Sequence, residues 1–343
     1  MNLKELSSIL GLSQTTVSRA LNGYPEVSEE TRDRVQRAAD RHNYRPNTRA
    51  KGLATGRAMA IGHVIPVSPR IDMVNNPIFG DFIAGAGEAY SKAGYDMVLT
   101  VVEDDREADA YRQIKSRGTV DGVVVHGPRT HDSRITLLND LQIPFVVHGR
   151  SSGIDEPYCW VDVNNRRAFS RATDFLLDLG HTRIALINGL EFMDFAIRRR
   201  AGYEASLIAR GLPVDPELLR SNVMTELYGY RDARALLALD RPPTAFLVAS
   251  MICAIGVRRA IQDCGIRLGR DVSVVTYDDM LSYLPNGDDV PIFTASRSSV
   301  RVAGRLSGEL LLERIANPDA PCRGELLEAE LMVGQSTGPA PAS

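Results

Sequence analysis

From residue 60 to about residue 290, short β-branched runs alternate with amphipathic stretches that end in glycine. The runs at 60–66 (AIGHVIP), 95–102 (YDMVLTVV), 120–127, 143–149, 183–189, 244–250 and 272–279 are apolar almost throughout, as strands of a parallel sheet covered on both faces must be. Between them, DFIAGAGEAYSKAG, READAYRQIKSRG, RRAFSRATDFLLDLG and RRRAGYEASLIARG carry apolar residues at helical spacing. These stop at Gly94, Gly118, Gly180 and Gly211, where glycine enters the left-handed conformation that closes a helix. Alternation sustained over about 230 residues predicts a doubly wound α/β body, long enough for two such units. The segment EPYCWVDVNN (156–165) reads as the crossing between them. Open parallel sheets bind ligands beyond the carboxyl ends of their strands, so two facing units frame a cleft. His126, His148, Arg150, Asn188, Ser250, Asp278 and Asp279 all follow strand ends.

The first 46 residues have a different texture. Leu3, Leu6, Ile9 and Leu10 form one apolar face, Gly11 ends that helix, and Ser13 is placed to cap a second helix from Gln14 to Asn22. Val17 and Leu21 face inward there. Gln14, Thr15, Thr16, Ser18, Arg19 and Asn22 face out, which is the side-chain set that reads base edges and phosphates from the major groove. Ser28 caps a third helix that opens with Glu29 and Glu30 and buries Val35 and Ala38. The pattern predicts an all-α helix-turn-helix headpiece.

Charge follows the same division. The chain of 343 residues carries a net charge of −3, but residues 1–57 hold ten Lys and Arg against six Asp and Glu, a net of +4, leaving −7 on the remainder. A basic module on an acidic body suits a protein that sets one end on a polyanion. No apolar run approaches the roughly 18 residues of a membrane span, and MNLKELSSIL has no secretory pattern. Cys159, Cys253, Cys264 and Cys322 lack metal or redox spacing and read as free thiols of a reducing cytoplasm. Gly80, Gly85 and Gly87 fall within a helix, not in a phosphate-binding strand-to-helix turn, and no hydrolase elbow, zinc-protease or Walker motif occurs. No cofactor, metal or catalytic residue is expected.

In order and spacing, TVSRALNG (16–23), VSEETRDRV (27–35), NYRPN (43–47), IGHVIP (61–66), NPIFGDFIAGAGEAYSKAGYDM (76–97), DGVVV (121–125), GHTRIALING (180–189), RRAGYEASL (199–207) and SVVTYDD (273–279) resemble the LacI/GalR family of effector-responsive bacterial transcription regulators. The resemblance implies that Ser13, Gln14, Thr15, Thr16, Ser18 and Arg19 serve the base- and phosphate-contacting helix, with Asn22 and Tyr44 holding the headpiece on the DNA backbone. Asn47 to Thr55 corresponds to a hinge helix that folds on operator DNA, and Leu53, flanked by Ala50 and Ala54, to the leucine wedged into the minor groove. Short helices are marginal alone, and Gly52 weakens this one further, so its order depends on DNA. Two headpieces on a homodimer imply a pseudo-palindromic double-stranded operator. The helices at 79–93 and near 302–315 are the expected dimer surfaces, and the tail GQSTGPAPAS lacks the leucine heptad of tetrameric relatives.

The resemblance also implies an effector pocket. Arg199 corresponds to an arginine that binds ligand hydroxyls and Asp278 to a carboxylate that accepts from them. Asn76 and Phe79 stand at the head of the first body helix, and Phe192 or Phe195 supplies a stacking face. His126 and His148 belong either to the pocket or to the core. Ser250 and Met251 replace a frequent Asn-Asp pair, and Gly149-Arg150 replaces a frequent aspartate, so the pocket is recut. An uncharged mono- or disaccharide is the expected effector, nearest to those of α-glucoside regulators. The expected organisation is a headpiece at 1–46, a hinge at 47–58, and an N-terminal subdomain at 59–160 plus about 291–320. A C-terminal subdomain at 161–290 plus about 321–336 and a disordered tail at 337–343 complete it. These periplasmic-binding-protein-like subdomains predict a cytoplasmic, nucleoid-associated repressor. The alternatives are a solute-binding protein of the same two-lobed fold and a nucleotide-dependent enzyme.

Overall fold

The computed structural model describes residues 1–21, 23–44, 56–68, 71–72, 77–278 and 280–342. An N-terminal module, which ends at Met59, and a body beginning at Ala60 form separate compact units.

The module holds α1 (Leu3–Leu10), α2 (Gln14–Leu21) and α3 (Glu29–Arg41). Asn2 and Glu5 form a reciprocal capping box on α1, and Gly11 at φ 61° closes it. Ser13 Oγ accepts from Thr16 N at 3.0 Å, and Ser28 Oγ caps α3 through Thr31 N. Leu6, Leu10, Val17, Ala20, Val27, Val35 and Ala39 make one small core. Ile9 is not part of it and stays 54% exposed, because Leu3, Leu6 and Leu10 already form the stripe and Ile9 falls one residue off it.

In the body, the first lobe is a sheet ordered β3 (Asp96–Glu103), β1 (Ala60–Ser68), β4 (Gly122–His126), β5 (Phe145–His148), β6 (Cys159–Val163) and β14 (Gly324–Leu327). All pairs are parallel except that β2 (Ile71–Asp72) runs antiparallel to the end of β1. The second lobe is ordered β8 (Leu219–Ser221), β7 (Ile184–Asn188), β9 (Ala245–Val248), β10 (Ser273–Tyr277), β13 (Thr294–Arg297) and β15 (Glu330–Met332), with only β15 antiparallel. Gly94, Gly118, Gly180 and Gly211 all take positive φ at helix ends.

The lobe boundaries shift from those expected. Residues 159–163 are no crossing but a buried strand, and the chain crosses only at Asn164. The return crossings lie near 298 and 328, not 291 and 321, because Thr294–Arg297 pairs with β10 and Gly324–Leu327 with β6. Residues 337–342 are not a disordered tail. Gly338 N donates to Ser273 Oγ at 3.1 Å, Ala340 N donates to Leu179 O at 2.8 Å, and Gly338 O lies 3.1 Å from His181 Nε2. A Gly/Pro-rich composition conceals such docking, since its hydrogen bonds are made by the backbone.

Two helices, α4 (Pro77–Ala93) and α11 (Val300–Ala316), pack against each other on the first lobe. A Cβ on Gly85 would stand 1.9 Å from Arg301 O, and one on Gly304 2.1 Å from Phe82 O. Only glycine permits this approach, so one face of each of the two helices expected at the dimer surface is used within the chain. By contrast β3, read as covered on both faces, is an edge strand with Val98, Leu99 and Val101 exposed.

Candidate effector cleft and DNA-contacting helix

On α2, Gln14, Thr15 and Arg19 are exposed, while Thr16 and Ser18 are half-buried. Ser13 and Thr16 spend their hydroxyls partly on the cap, 2.8 Å apart. Tyr44 packs half-buried against the module core. Among the described residues of α2, Gln14, Thr15 and Arg19 are the most exposed of the predicted contact side chains. Asn22, Asn47, Ala50, Leu53 and Ala54 lie outside the described residues. Substituting Arg19→Ala should weaken DNA binding and reduce the slope of log affinity against log salt by about 1, as loss of one phosphate contact requires. Titration of operator binding between low and moderate salt measures it, and an unchanged slope removes Arg19 from the phosphate backbone.

Both lobes of the body close on a cavity of about 210 Å³ at the carboxyl ends of their strands. Phe79, His126, His148, Arg150, Phe195, Arg199 and Asp278 line it. Ser250 does not. Its side chain caps the helix Met251–Asp263 by accepting from Cys253 N at 3.2 Å, and the preceding Ala249 takes its place in the wall. Phe192 is exposed outside the lining and sits under Arg129. Asn76 lies outside the described residues.

Arg199 comes from the helix Asp194–Ala209 and is only 5% exposed. Its Nε donates to Asn165 Oδ1 at 2.8 Å and its Nη1 to Ala249 O at 2.9 Å. The guanidinium carbon lies 3.9 Å from the Tyr277 ring centre, 4.7 Å from Phe195 and 5.2 Å from Phe169. A weakly hydrated planar cation tolerates such an aromatic cage, and the cage leaves Nη2 for a ligand. Asp278 follows directly on β10 at φ 54°, with its N donating to Ser296 O at 3.2 Å. This left-handed turn delivers a carboxylate to the cavity.

The opposite wall is aromatic and imidazole. His126 packs edge-on to Phe79 and Phe82, and His148 stacks on Phe82 at 4.3 Å. Burial pushes His148 down to about 4 and His63 behind it to about 3. His126 falls well below the ordinary range through burial, aided by His63, His148 and Arg134. All three rings are therefore neutral at pH 7. The two histidines left between pocket and core belong to both. Arg150, stacked over Trp160, does not reach out as a free cation. Its Nε donates to Asp162 Oδ2 at 2.7 Å, although burial still raises the Asp162 carboxyl.

Polar ties join the lobes beside the cavity. Ser152 N donates to Asp194 Oδ2 at 2.5 Å, Arg198 Nη2 donates to Ser152 Oγ at 2.8 Å, and Arg198 pairs with Asp194. Farther along, Ser282 N donates to Asp81 Oδ2 at 3.0 Å. Sequence reasoning missed Asp162, Asn165 and Tyr277, which lay within motifs it quoted, and Leu190, Met193 and Met224, apolar loop residues that give no signal. Among the described residues no helix is long and apolar enough to cross a membrane.

A helix-turn-helix module carried in one chain with a two-lobed ligand-binding body defines an effector-responsive DNA-binding regulator. Residues 2–47 match the family described as bacterial regulatory proteins, lacI family, and residues 173–337 match a periplasmic binding protein-like domain. The HTH-type transcriptional regulator AglR of Rhizobium meliloti (strain 1021) is 45% identical across 99% of this chain and 95% of its own. RafR of Escherichia coli, also an HTH-type transcriptional regulator, is 34% identical across 93% and 94%. The solved complex of the regulator CelR with cellobiose superposes with a TM-score of 0.72 at 28% identity, covering 98% of this chain and 99% of CelR. The chain belongs to the LacI family and is a transcriptional regulator, not an enzyme.

Proposed function

We propose that this regulator is a homodimeric repressor acting on cytoplasmic DNA. Its affinity for a pseudo-palindromic operator is set by an uncharged mono- or disaccharide of α-glucoside type held in the cleft. The observation that carries this reading is the caged Arg199 and the turn-borne Asp278 in one largely apolar cavity. A donor fork and an acceptor carboxylate suit vicinal hydroxyls, while Phe79 and Phe195 suit the C–H face of a pyranose. That the relative CelR was captured with cellobiose supports a sugar. The exposed β3 edge offers an apolar surface to a second copy. Residues 47–58 act as the hinge, with Leu53 as the minor-groove wedge.

Linkage requires that sugar and operator change each other's affinity by one factor, typically about 5- to 150-fold. Fluorescence anisotropy on DNA from around the regulator's own gene, with sucrose, maltose, trehalose and the β-linked cellobiose, tests both parts. A shift of that size with an α-linked sugar alone is the expected result. Specific binding indifferent to every sugar discards the ligand class.

A further inference from the structure

Cys159 and Cys322 are far apart in sequence, and the pairing of β6 with β14 brings them together. Trp160 stands opposite Gly324 in that ladder, and Trp160 N donates to Arg323 O at 3.2 Å. A Cβ on Gly324 would stand 2.0 Å from the Trp160 ring, so a slip that put another residue there would clash, and the register is fixed. Cys159 opens β6 at 2% exposure. Cys322, half-buried, precedes β14 and packs on the same core cluster. The Arg323 N–H and the Cys322 thiol both approach Cys159 Sγ. Arg314 holds the loop before Cys322 by donating to Ala320 O.

Neighbouring parallel strands lie about 4.8 Å apart and rise about 3.3 Å per residue. A diagonal neighbour one residue beyond the ladder therefore falls within the roughly 4.4–6.8 Å between Cα atoms that a disulfide spans. Both thiols are free, and neither lines the cleft. Burial pushes the Cys159 thiol up, the Arg323 N–H pulls it down, and the hydrogen bond with Cys322 pushes it up again. Cys322, the more exposed of the two, is the sulfur that an oxidant meets first. Cys253, by contrast, donates its thiol proton to Thr225 O at 3.3 Å, and Cys264 is exposed on the other lobe.

We propose that Cys159 and Cys322 form a modification site for hydroperoxides, at which oxidation closes a reversible disulfide between β6 and β14. The Cys322 thiolate attacks the peroxide. An S–O bond forms, the O–O bond breaks, and the other peroxide oxygen takes up a proton and leaves as an alcohol or water. The sulfur is oxidised to a sulfenic acid and the peroxide is reduced. Cys159 sulfur then attacks Cys322 sulfur. The S–S bond forms, the S–O bond breaks, and the hydroxide leaves as water with the Cys159 proton. Asn164 N donates to Leu327 O at 2.8 Å where both strands leave the first lobe. The bond thus staples the two strands that lead into crossings between the lobes.

Mass spectrometry reads the site on reduced full-length protein that is treated with hydrogen peroxide, alkylated and digested with trypsin under non-reducing conditions. The expected product joins peptide 151–166 to peptide 315–323 and is two hydrogens lighter than their sum. Dithiothreitol should restore both thiols. Because Cys159 adjoins Trp160, the single tryptophan, closure should also quench indole emission, and this loss should be absent in Cys322→Ser. Cys159→Ser should leave Cys322 as a sulfenic acid that dimedone traps. Closing so long a loop should raise the thermal midpoint of the oxidised protein by several degrees. Cys322 carried on to a sulfinic acid while Cys159 alkylates normally overturns the proposal, and so does a bond from either cysteine to Cys264. A lower midpoint on oxidation overturns it as well, because the strands would then have to part for the bond to form. Should Cys159→Ser fail to fold, the wild-type product and Cys322→Ser decide alone.

Discussion

Between pH 7 and pH 4.5 the body should lose roughly 5 kcal/mol of stability through His63 and His148 alone. Both are held below their ordinary value of 6.5 by burial, to about 3 and about 4. In the unfolded chain they take up protons as pH falls through 6.5, and in the fold they do not. The unfolded state then binds more protons, so the stability they contribute is fully present above 6.5 and drains away as pH falls toward 4. Because pH 4.5 lies two units below the unfolded value and at or above the folded ones, each ring accounts for roughly 2 to 3 kcal/mol there. His126 acts in the same direction. Glu107 and Asp162, raised by burial, act in the opposite direction and offset part of the loss as pH falls through their raised folded values. Urea unfolding at the two pH values, followed by the single tryptophan, Trp160 in β6, measures the difference. His148→Asn should remove about half of the two-histidine contribution. A total loss under about 1 kcal/mol would mean that the imidazoles are hydrated in the folded protein.

The sequence conveyed more of the fold than of the boundaries, and the reason is local. Strands such as Ile184–Asn188 and Ala245–Val248 are wholly buried and, apart from the terminal Asn188, apolar, so their pattern is unambiguous. Cys159–Val163 is equally a central strand, yet Asp162 and the neighbouring Asn164 and Asn165 dilute its pattern. Gly324–Leu327 alternates exposed and half-buried positions and Glu330–Met332 has no buried position, and two strands that short and that close together cannot be assigned to different sheets by periodicity. In the cleft, charged residues placed by motif were legible: Arg199 and Asp278 both face the cavity. Ser250 was misread because a hydroxyl just past a strand serves equally well as a helix cap. The hydrogen bonds of His63 to His126 and Tyr90 were invisible, since β1 reads as an ordinary buried strand and only the pairing of β1 with β4 sets His63 beside His126.

Replacing Arg199 with alanine should reduce effector affinity by at least about 30-fold while leaving sugar-free operator affinity intact, because a desolvated charged contact at the centre of a site is worth about 2–5 kcal/mol. The guanidinium is clamped by Asn165 and Ala249 O and caged by Tyr277, Phe195 and Phe169, so a ligand meets it already oriented and loses little entropy in binding. Alanine removes the donor and also strands Asn165 Oδ1 and Ala249 O, for about 1–3 kcal/mol of lobe stability each. Arg199→Lys separates the two effects. A point-charge ammonium retains the cation over the rings but cannot make the fork, so it should recover much of the thermal stability and little of the affinity. Calorimetry with the sugar selected by the operator assay, alongside thermal unfolding of both variants, resolves them. Linkage adds a third readout, because the variant that no longer binds sugar must also keep its operator affinity unchanged when sugar is added. If Arg199→Ala binds sugar as wild type does, the arginine is a clamp between Asn165 and the strand end at Ala249, and ligand recognition rests with Asp278 and His126.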